Sequence, residues 1–512
     1  MDTPVRKHLR PEWIRGLLDT EAYPHAVGEI QLIETHISWV FLTGEYAYKI
    51  KKPVNLGFLD FSTLEARKFF CEEELRLNSR TSGEFYLGVV PIGMSDGRPV
   101  IGGQPAVEYA VRMRQFAPDA RLDRQLAAGQ VSAADLQRLA SLLADFYLQA
   151  PVAKGHDPAM AAERASAPAL ANFEHIQGDH ISRESRLRID TVETWTRAQA
   201  VALEPVFQQR AAQGFVRECH GDLHLANLFA WQGRIYPYDC LEFNPDLRWI
   251  DQASDIAFLV MDLMARGRTD LAFIFLNTWL EETGDYGSLA VLRFYLVYRS
   301  MVRLKVAAIQ TRLLHEDAQG EHAIKARLYL DLARHLMDRP AHPRLVIMHG
   351  LSASGKTHTS NGLVPGMPAI RLRSDLERKR LYGLSRYHHH ASGIDTGPYS
   401  EAGTEATYRK LLAECETGLK AGFNMVVDAT FGRRRWRSRF MAKARETGAE
   451  PRIMTCSAPL ETLKQRIRER MAEGVDESDA NLEVLERQLA NFEPLDEHER
   501  LVASADLQLP ET

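Results

Sequence analysis

Residues 345–357 read Leu345-Val-Ile-Met-His-Gly350-Leu-Ser-Ala-Ser-Gly355-Lys356-Thr357. The opening run is continuously apolar, the pattern of a strand buried on both faces in a parallel sheet. The following eight residues fit G-x-x-x-x-G-K-[ST]. In that pattern the glycines let backbone amides curl around phosphate oxygens, the lysine reaches the β- and γ-phosphates, and the hydroxyl ligates Mg²⁺. A helix-compatible stretch comes next, and its first turn adds the positive end of a helix dipole. Strand, loop and helix in this order make a chance match remote. Gly350, Ser352, Ser354, Gly355, Lys356, Thr357 and His358 are the residues expected to meet a nucleotide.

Downstream, FNMVVDAT (423–430) and PRIMTCS (451–457) are two more apolar runs separated by helical segments. That alternation is the βαβ signature of a parallel α/β sheet. Asp375 follows the segment AIRLRS, where a second strand would end. Ser374-Asp375 before LERKRLYGL also reads as a helix cap. Asp428 ends MVVD, either beside a metal or as a turn aspartate. Arg466 and Arg470 share a helical face at i, i+4 spacing, either over the phosphates or in solvent. Gly432-Arg-Arg-Arg-Trp-Arg-Ser-Arg439 is a basic cluster with one aromatic, fit for a phosphorylated or nucleic-acid ligand or for a surface helix. His388-His389-His390 lies in a Gly/Ser/Tyr-rich loop and could touch substrate. Residues 343–505 together resemble the P-loop kinases that include polynucleotide 5′-hydroxyl kinases, zeta-toxin-like kinases and gluconate-type kinases. The resemblance implies that Asp375 accepts the proton of a substrate hydroxyl, that Thr357 and Asp428 serve Mg²⁺, and that Arg466 and Arg470 neutralise charge on the transferred phosphoryl group.

Upstream, Asp338-Arg-Pro-Ala-His-Pro343 holds two prolines in six residues and marks a boundary. The chain before it starts with strands over 30–52, broken at Thr43-Gly44. A helix over 62–78 and strands at 86–92 and 104–113 follow, which describes an antiparallel sheet with one inserted helix. Residues 117–210 and 251–336 are helical around a short strand-like region, 215–238. Within that region stands His220-Gly221-Asp222-Leu223-His224-Leu225-Ala226-Asn227. It resembles the catalytic loop of aminoglycoside and choline phosphotransferases, a relative of the protein-kinase H-R-D-x-x-x-x-N loop. The resemblance, over about residues 30–300, implies that Asp222 meets the acceptor hydroxyl, that Asn227 and Asp239 hold metal, and that Asp255 steadies the loop. Lys49 is the expected partner of the α- and β-phosphates, with Lys51 and Lys52 as alternatives. Glu74 is its expected ion-pair partner, with Glu72 and Glu73 as rivals. The stretch Glu34–Ser38, where protein kinases carry a glycine-rich loop, has no glycine.

The 512 residues carry a net charge of −5 and include 45% hydrophobic residues, ordinary for a globular protein and unlike a strongly basic nucleic-acid binder. Five scattered cysteines form no CxxC pair, which argues against a disulfide framework or a zinc site. The polar N-terminus lacks the apolar core of a signal peptide, and no run approaches the roughly 20 apolar residues that span a bilayer. The expectation is a cytoplasmic, two-domain protein: an α+β protein-kinase-like domain with a helical extension over 1–337, then an α/β P-loop domain with a parallel sheet over 338–512. ATP and Mg²⁺ are the expected cofactors. A small-molecule or nucleotide-like hydroxyl compound is the expected acceptor, with nucleic acid not favoured. Two alternatives stand beside this reading. In one, the first domain is non-catalytic and regulates the P-loop kinase. In the other, the chain is a nucleic-acid end-processing kinase.

Overall fold

The computed structural model describes residues 11–503 apart from 58, 154–159, 177–181, 315–318, 339, 341, 385–397, 399 and 474–480. The His388–His390 run therefore lies outside the described residues. Six strands form the first sheet: β1 (Gln31–Glu34), β2 (Ser38–Leu42), β3 (Tyr46–Lys51), β4 (Tyr86–Ser95), β5 (Arg98–Ile101) and β6 (Ala106–Arg114). Their order is β1-β2-β3-β6-β4-β5, every pair antiparallel. Trp39, Phe41, Tyr48, Ile50, Ile92 and Ile101 form its main core.

The helix Leu64–Ser82 is inserted between β3 and β4, opened by Thr63, whose side chain accepts from the Ala66 amide. It runs one turn past the expected end at Asn78. Asn78 does not break it, because its amide is used both ways: Nδ2 donates to the Glu74 carbonyl at 2.8 Å, and Oδ1 accepts from the Cys240 amide at 3.0 Å. Four short strands follow: β7 (Val216–Glu218), β8 (Leu228–Trp231), β9 (Arg234–Pro237) and β10 (Trp249–Asp251). They pair as β7 with β10 and β8 with β9.

The chain divides into two compact units. The first comprises Met1–Val131, Phe146–Gly155 and Gly214–Asp255; the second comprises Ser132–Asp145, His156–Gln213 and Ile256–Thr512. The second holds β11 (Arg344–His349), β12 (Ala369–Arg373), β13 (Asn424–Asp428) and β14 (Glu450–Thr455), all parallel in the order β12-β13-β11-β14. The protein is thus two-domain by fold, an α+β kinase-like part followed by a P-loop α/β part.

The proline-marked stretch 338–343 falls inside the second unit. Helix Thr269–Thr283 packs on β12 and on the helix Lys356–Gly366, and helix Leu289–Leu313 packs on the helix Glu401–Lys420. β12 is an edge strand, yet its outer edge is covered. Asn277 Nδ2 donates to the Ala369 carbonyl at 2.8 Å, the Arg371 amide donates to Asn277 Oδ1 at 2.6 Å, and Tyr286 OH donates to the Arg371 carbonyl at 3.2 Å. Side chains therefore make the hydrogen bonds that a fifth strand would make. Among the described residues, no helix is long and apolar enough to cross a membrane.

Candidate active sites

The first site lies where β11 ends. Gly350 has φ +156°, and a Cβ there would collide with the Cys456 carbonyl oxygen of the neighbouring strand end. Gly355, at φ +97°, turns the chain into the helix Lys356–Gly366. The amides of Lys356, Thr357 and His358 open that helix, so they have no acceptor within it. Lys356 Nζ donates to the Leu351 carbonyl at 2.7 Å. Burial lowers the Lys356 pKa, while Asp428 and Asp375 oppose that shift.

A cavity of about 580 Å³ opens over this loop. Ser352, Gly355, Lys356, Thr357 and His358 line it together with Asp375 and Asp428. Arg466 and Arg470, one turn apart on the helix Leu460–Glu473, line it as well. Arg466 also donates to the Ala353 carbonyl at 3.1 Å. The expected residues thus converge from four segments far apart in sequence. Gly350 and Ser354 are the exceptions in the loop: neither lines the cavity, and Ser354 is buried.

Asp375 occupies the first turn of the helix Ser374–Leu381. The capping alternative is not realised: the cap position belongs to Arg373, with no side-chain cap hydrogen bond. Asp428 is buried and accepts from Ser360 Oγ at 3.1 Å. Carboxylate and hydroxyl oxygens are the hard donors that Mg²⁺ takes, so Thr357 and Asp428 fit that ion.

The basic cluster separates into different roles. Arg433 and Arg435 line the cavity beside Trp436, which stacks on Tyr408 at 4.8 Å. Arg437 is buried and tied bidentately to Glu499 at 2.8 and 2.9 Å, so it holds the fold. Several lining residues escaped the sequence reading. Arg373 and Arg378 flank Asp375 in sequence and line the cavity, as does Arg487. Gln488 latches the loop: its Oε1 accepts from the Ser352 amide at 2.8 Å and its Nε2 donates to Ser352 Oγ at 2.9 Å. No motif announces these residues; only the folded chain brings them to the loop.

The second site belongs to the first unit. Lys49 on β3 donates to Glu74 Oε1 at 2.8 Å and to Asp239 Oδ1 at 2.5 Å. Glu74 is therefore the helix partner. Glu73 instead pairs with Arg76 at 2.9 Å, and Glu72 faces Lys68 at 3.8 Å. Lys51, on the same face of β3, donates to Glu74 Oε2 at 2.8 Å and also pairs with Glu242. Burial would raise the Glu74 pKa, but the two lysines override it and hold the carboxyl at about 2. Lys52 points away and pairs with Glu34 at 2.7 Å. The Lys51–Glu242 pair was not foreseen; Glu242 lies three residues beyond Asp239 with nothing in the sequence to mark it.

Gly221 has φ +89° and bends the catalytic-type loop. Asn227 Nδ2 donates to Asp222 Oδ2 at 2.9 Å, so these two meet as the spacing required. The buried carboxylate of Asp255 accepts from the amides of His220 and Gly221 at 2.8 and 2.9 Å, and from Tyr147 OH at 2.9 Å. Asp239 holds a left-handed φ of +62° with its carboxylate partly exposed. Asp239 and Asn227 offer the oxygen donors that suit Mg²⁺. The turn between β1 and β2 closes without glycine: Thr35 Oγ1 accepts from the Ser38 amide at 3.0 Å, and Lys52 Nζ donates to the Thr35 carbonyl at 2.5 Å.

Protein Rv2004c of Mycobacterium tuberculosis, named as uncharacterized, is 30% identical over 468 residues, covering 89% of this chain and 88% of its own. Protein Mb2027c of Mycobacterium bovis matches to the same extent. The chain belongs to the family of these mycobacterial proteins. A family model described as an AAA domain matches residues 345–495. Among solved structures, a choline/ethanolamine kinase family protein from Mesorhizobium loti is 11% identical at a TM-score of 0.38, over 61% of this chain and 89% of that one. A putative kinase from Chloroflexus aurantiacus is 22% identical at a TM-score of 0.25, over 30% and 82%.

Proposed function

We propose that the chain transfers the γ-phosphate of ATP to a hydroxyl acceptor, with the P-loop cavity as a working site. The observation that carries this reading is the convergence of the phosphate loop, Asp375, Asp428 and the arginine pair 466/470 on one cavity. Amides at the loop and Lys356 bind the phosphates. Asp375 takes the proton of the attacking hydroxyl. Arg466 and Arg470 face the charge that grows on the phosphoryl oxygens. Mg²⁺, held by Thr357 and Asp428, would supply charge neutralisation between the phosphates. On the acceptor side, Arg373, Arg378, Arg433 and Arg435 stand with Tyr408 and Trp436. That lining favours a small or nucleotide-like hydroxyl compound that itself carries negative charge. The net charge of −5 does not favour a long nucleic acid.

For the kinase-like half, the Lys49–Glu74–Asp239 contacts and the Asp222–Asn227 pair support a second ATP site with Asp222 as base. Asp239 and Asn227 would hold its Mg²⁺. The glycine-free β1–β2 turn supports the other reading, a binding module that regulates the P-loop site. A screen of hydroxyl metabolites, nucleosides and oligonucleotides for phosphate transfer from ATP tests both. Transfer abolished by Lys356→Ala and kept in Asp222→Ala assigns the activity to the P-loop site; the reverse assigns it to the kinase-like site. No transfer to any acceptor class would overturn the proposal.

A further inference from the structure

The edge of the P-loop sheet is completed by a helix upstream of the prolines. Helix Thr269–Thr283 contributes Asn277 to the outer edge of β12 and, one turn on, Glu281. Glu281 is buried and its carboxylate faces two arginines of β12. Its Oε1 accepts from Arg371 Nε at 2.8 Å and lies 2.6 Å from Nη2; its Oε2 lies 3.7 Å from Arg373 Nη1. Its own carbonyl accepts from Arg380 Nη2 at 2.6 Å, on the helix that carries Asp375. Arg373 is largely buried and lines the cavity, two residues before Asp375. Glu281 therefore pairs with Arg371 and Arg373 of the strand that ends at the site and, through its carbonyl, with the helix that carries Asp375.

We propose that Glu281 is a positioning residue of the P-loop site: it fixes Arg373 and the β12–helix junction, so that the acceptor side of the cavity is set from outside the P-loop domain. The proposal rests on the P-loop phosphotransfer reading. Its physical basis is directional. The carboxylate fixes the Arg371 guanidinium through charge-assisted hydrogen bonding and draws the Arg373 guanidinium towards it by charge at 3.7 Å. A small misplacement remote from the chemistry lowers the rate strongly, since reacting groups must be aligned.

The experiment uses the full chain, with MgATP hydrolysis as the readout and water as the acceptor. Glu281→Gln removes the charge but leaves Arg371 buried without it, which endangers the fold. The double variant Glu281→Gln/Arg371→Met removes both buried charges and takes away the carboxylate charge that faces Arg373. All proteins carry Asp239→Asn, which weakens nucleotide binding at the kinase-like site, so that MgADP counted by calorimetry reports the P-loop site; turnover is expressed per such site, so that loss of folded protein does not register. The expected result is an MgADP affinity within about twofold of wild type and turnover per site lowered by up to about 10²-fold. Lys356→Ala is run beside it. If Lys356→Ala abolishes turnover while the folded double variant keeps the wild-type rate per site, Glu281 has no positioning role. If both Glu281 variants fail to fold, its role is structural and the proposal is likewise overturned. If Lys356→Ala leaves turnover unchanged, the P-loop reading itself fails.

Discussion

At the residue scale, the groups with a fixed place in a motif were legible. G-x-x-x-x-G-K-T and H-G-D-x-x-x-x-N tie side chains to backbone shape over a few residues, so spacing alone places Lys356, Asp222 and Asn227. Partners recruited across the fold were not legible. Glu74 could not be told from Glu72 and Glu73 until the helix rotation was known, and Glu242, Gln488 and Arg373 have no local signature. Two predictions belong here. Lys356→Ala removes the ammonium at the phosphate loop, so P-loop-dependent ATP turnover should fall by about 10²-fold or more in steady-state assays. Asp222→Asn and Asp239→Asn should differ in kind. The first removes a base and should slow transfer at the kinase-like site by about 10²–10⁴-fold with nucleotide binding intact. The second weakens the Mg²⁺-ATP complex, because the carboxylate anchors the metal. Calorimetric titration of Mg²⁺-ATP with the Lys356→Ala background, which silences the other site, separates them. Equal affinity for both variants would remove Asp239 from the metal set.

At the scale of elements, apolar runs foretold most strands of both sheets, because period and β-branching report burial directly, but not β5 (Arg98–Ile101), four residues with only Val100 and Ile101 as β-branched side chains. Lengths were less legible, as Asn78 shows: a residue that favours helix ends stays inside a helix when tertiary contacts use its amide. The helix Glu401–Lys420 carries a further consequence. Burial, and then the neighbouring Glu377, push the Glu414 carboxyl up to about 8. Lys410 lies 3.7 Å from Glu414 and 2.9 Å from Glu377, which also pairs with Arg380. A carboxyl whose folded pKa is raised binds more protons folded than unfolded. Its contribution is therefore complete below the ordinary value of 4.5 and lost as pH rises towards about 8. Thermal melts of wild type should show lower stability at pH 8.5 than at pH 6. Glu414→Gln should reduce that loss by at least about 1.4 kcal/mol, the worth of one pKa unit. An unchanged slope would mean that Glu414 is ionised at neutral pH.

At the scale of the whole molecule, the two fold classes were legible and the grouping of their helices was not. Composition shifts and prolines mark where one pattern of sequence stops; they do not report which helices cover which sheet. Arg293 Nη1 donates to the Leu336 and Asp338 carbonyls at 2.7 and 3.1 Å, and the same guanidinium reaches the Ala421 and Gly422 carbonyls at 3.3 and 3.4 Å. Limited proteolysis near 338–343 should therefore yield fragments of about 340 and 170 residues that still co-elute on size exclusion, since packed helices bridge the cut. Fragments that separate without denaturant would show that this packing is weak. The Asn277 amide on β12 also bears on heredity. A gene split at codon 338 would give a downstream product whose outermost strand shows bare N–H and C=O groups to the solvent, the template on which chains stack into fibrils. Made without its upstream partner, such a product would need a replacement helix or a charged, shortened strand to stay dispersed.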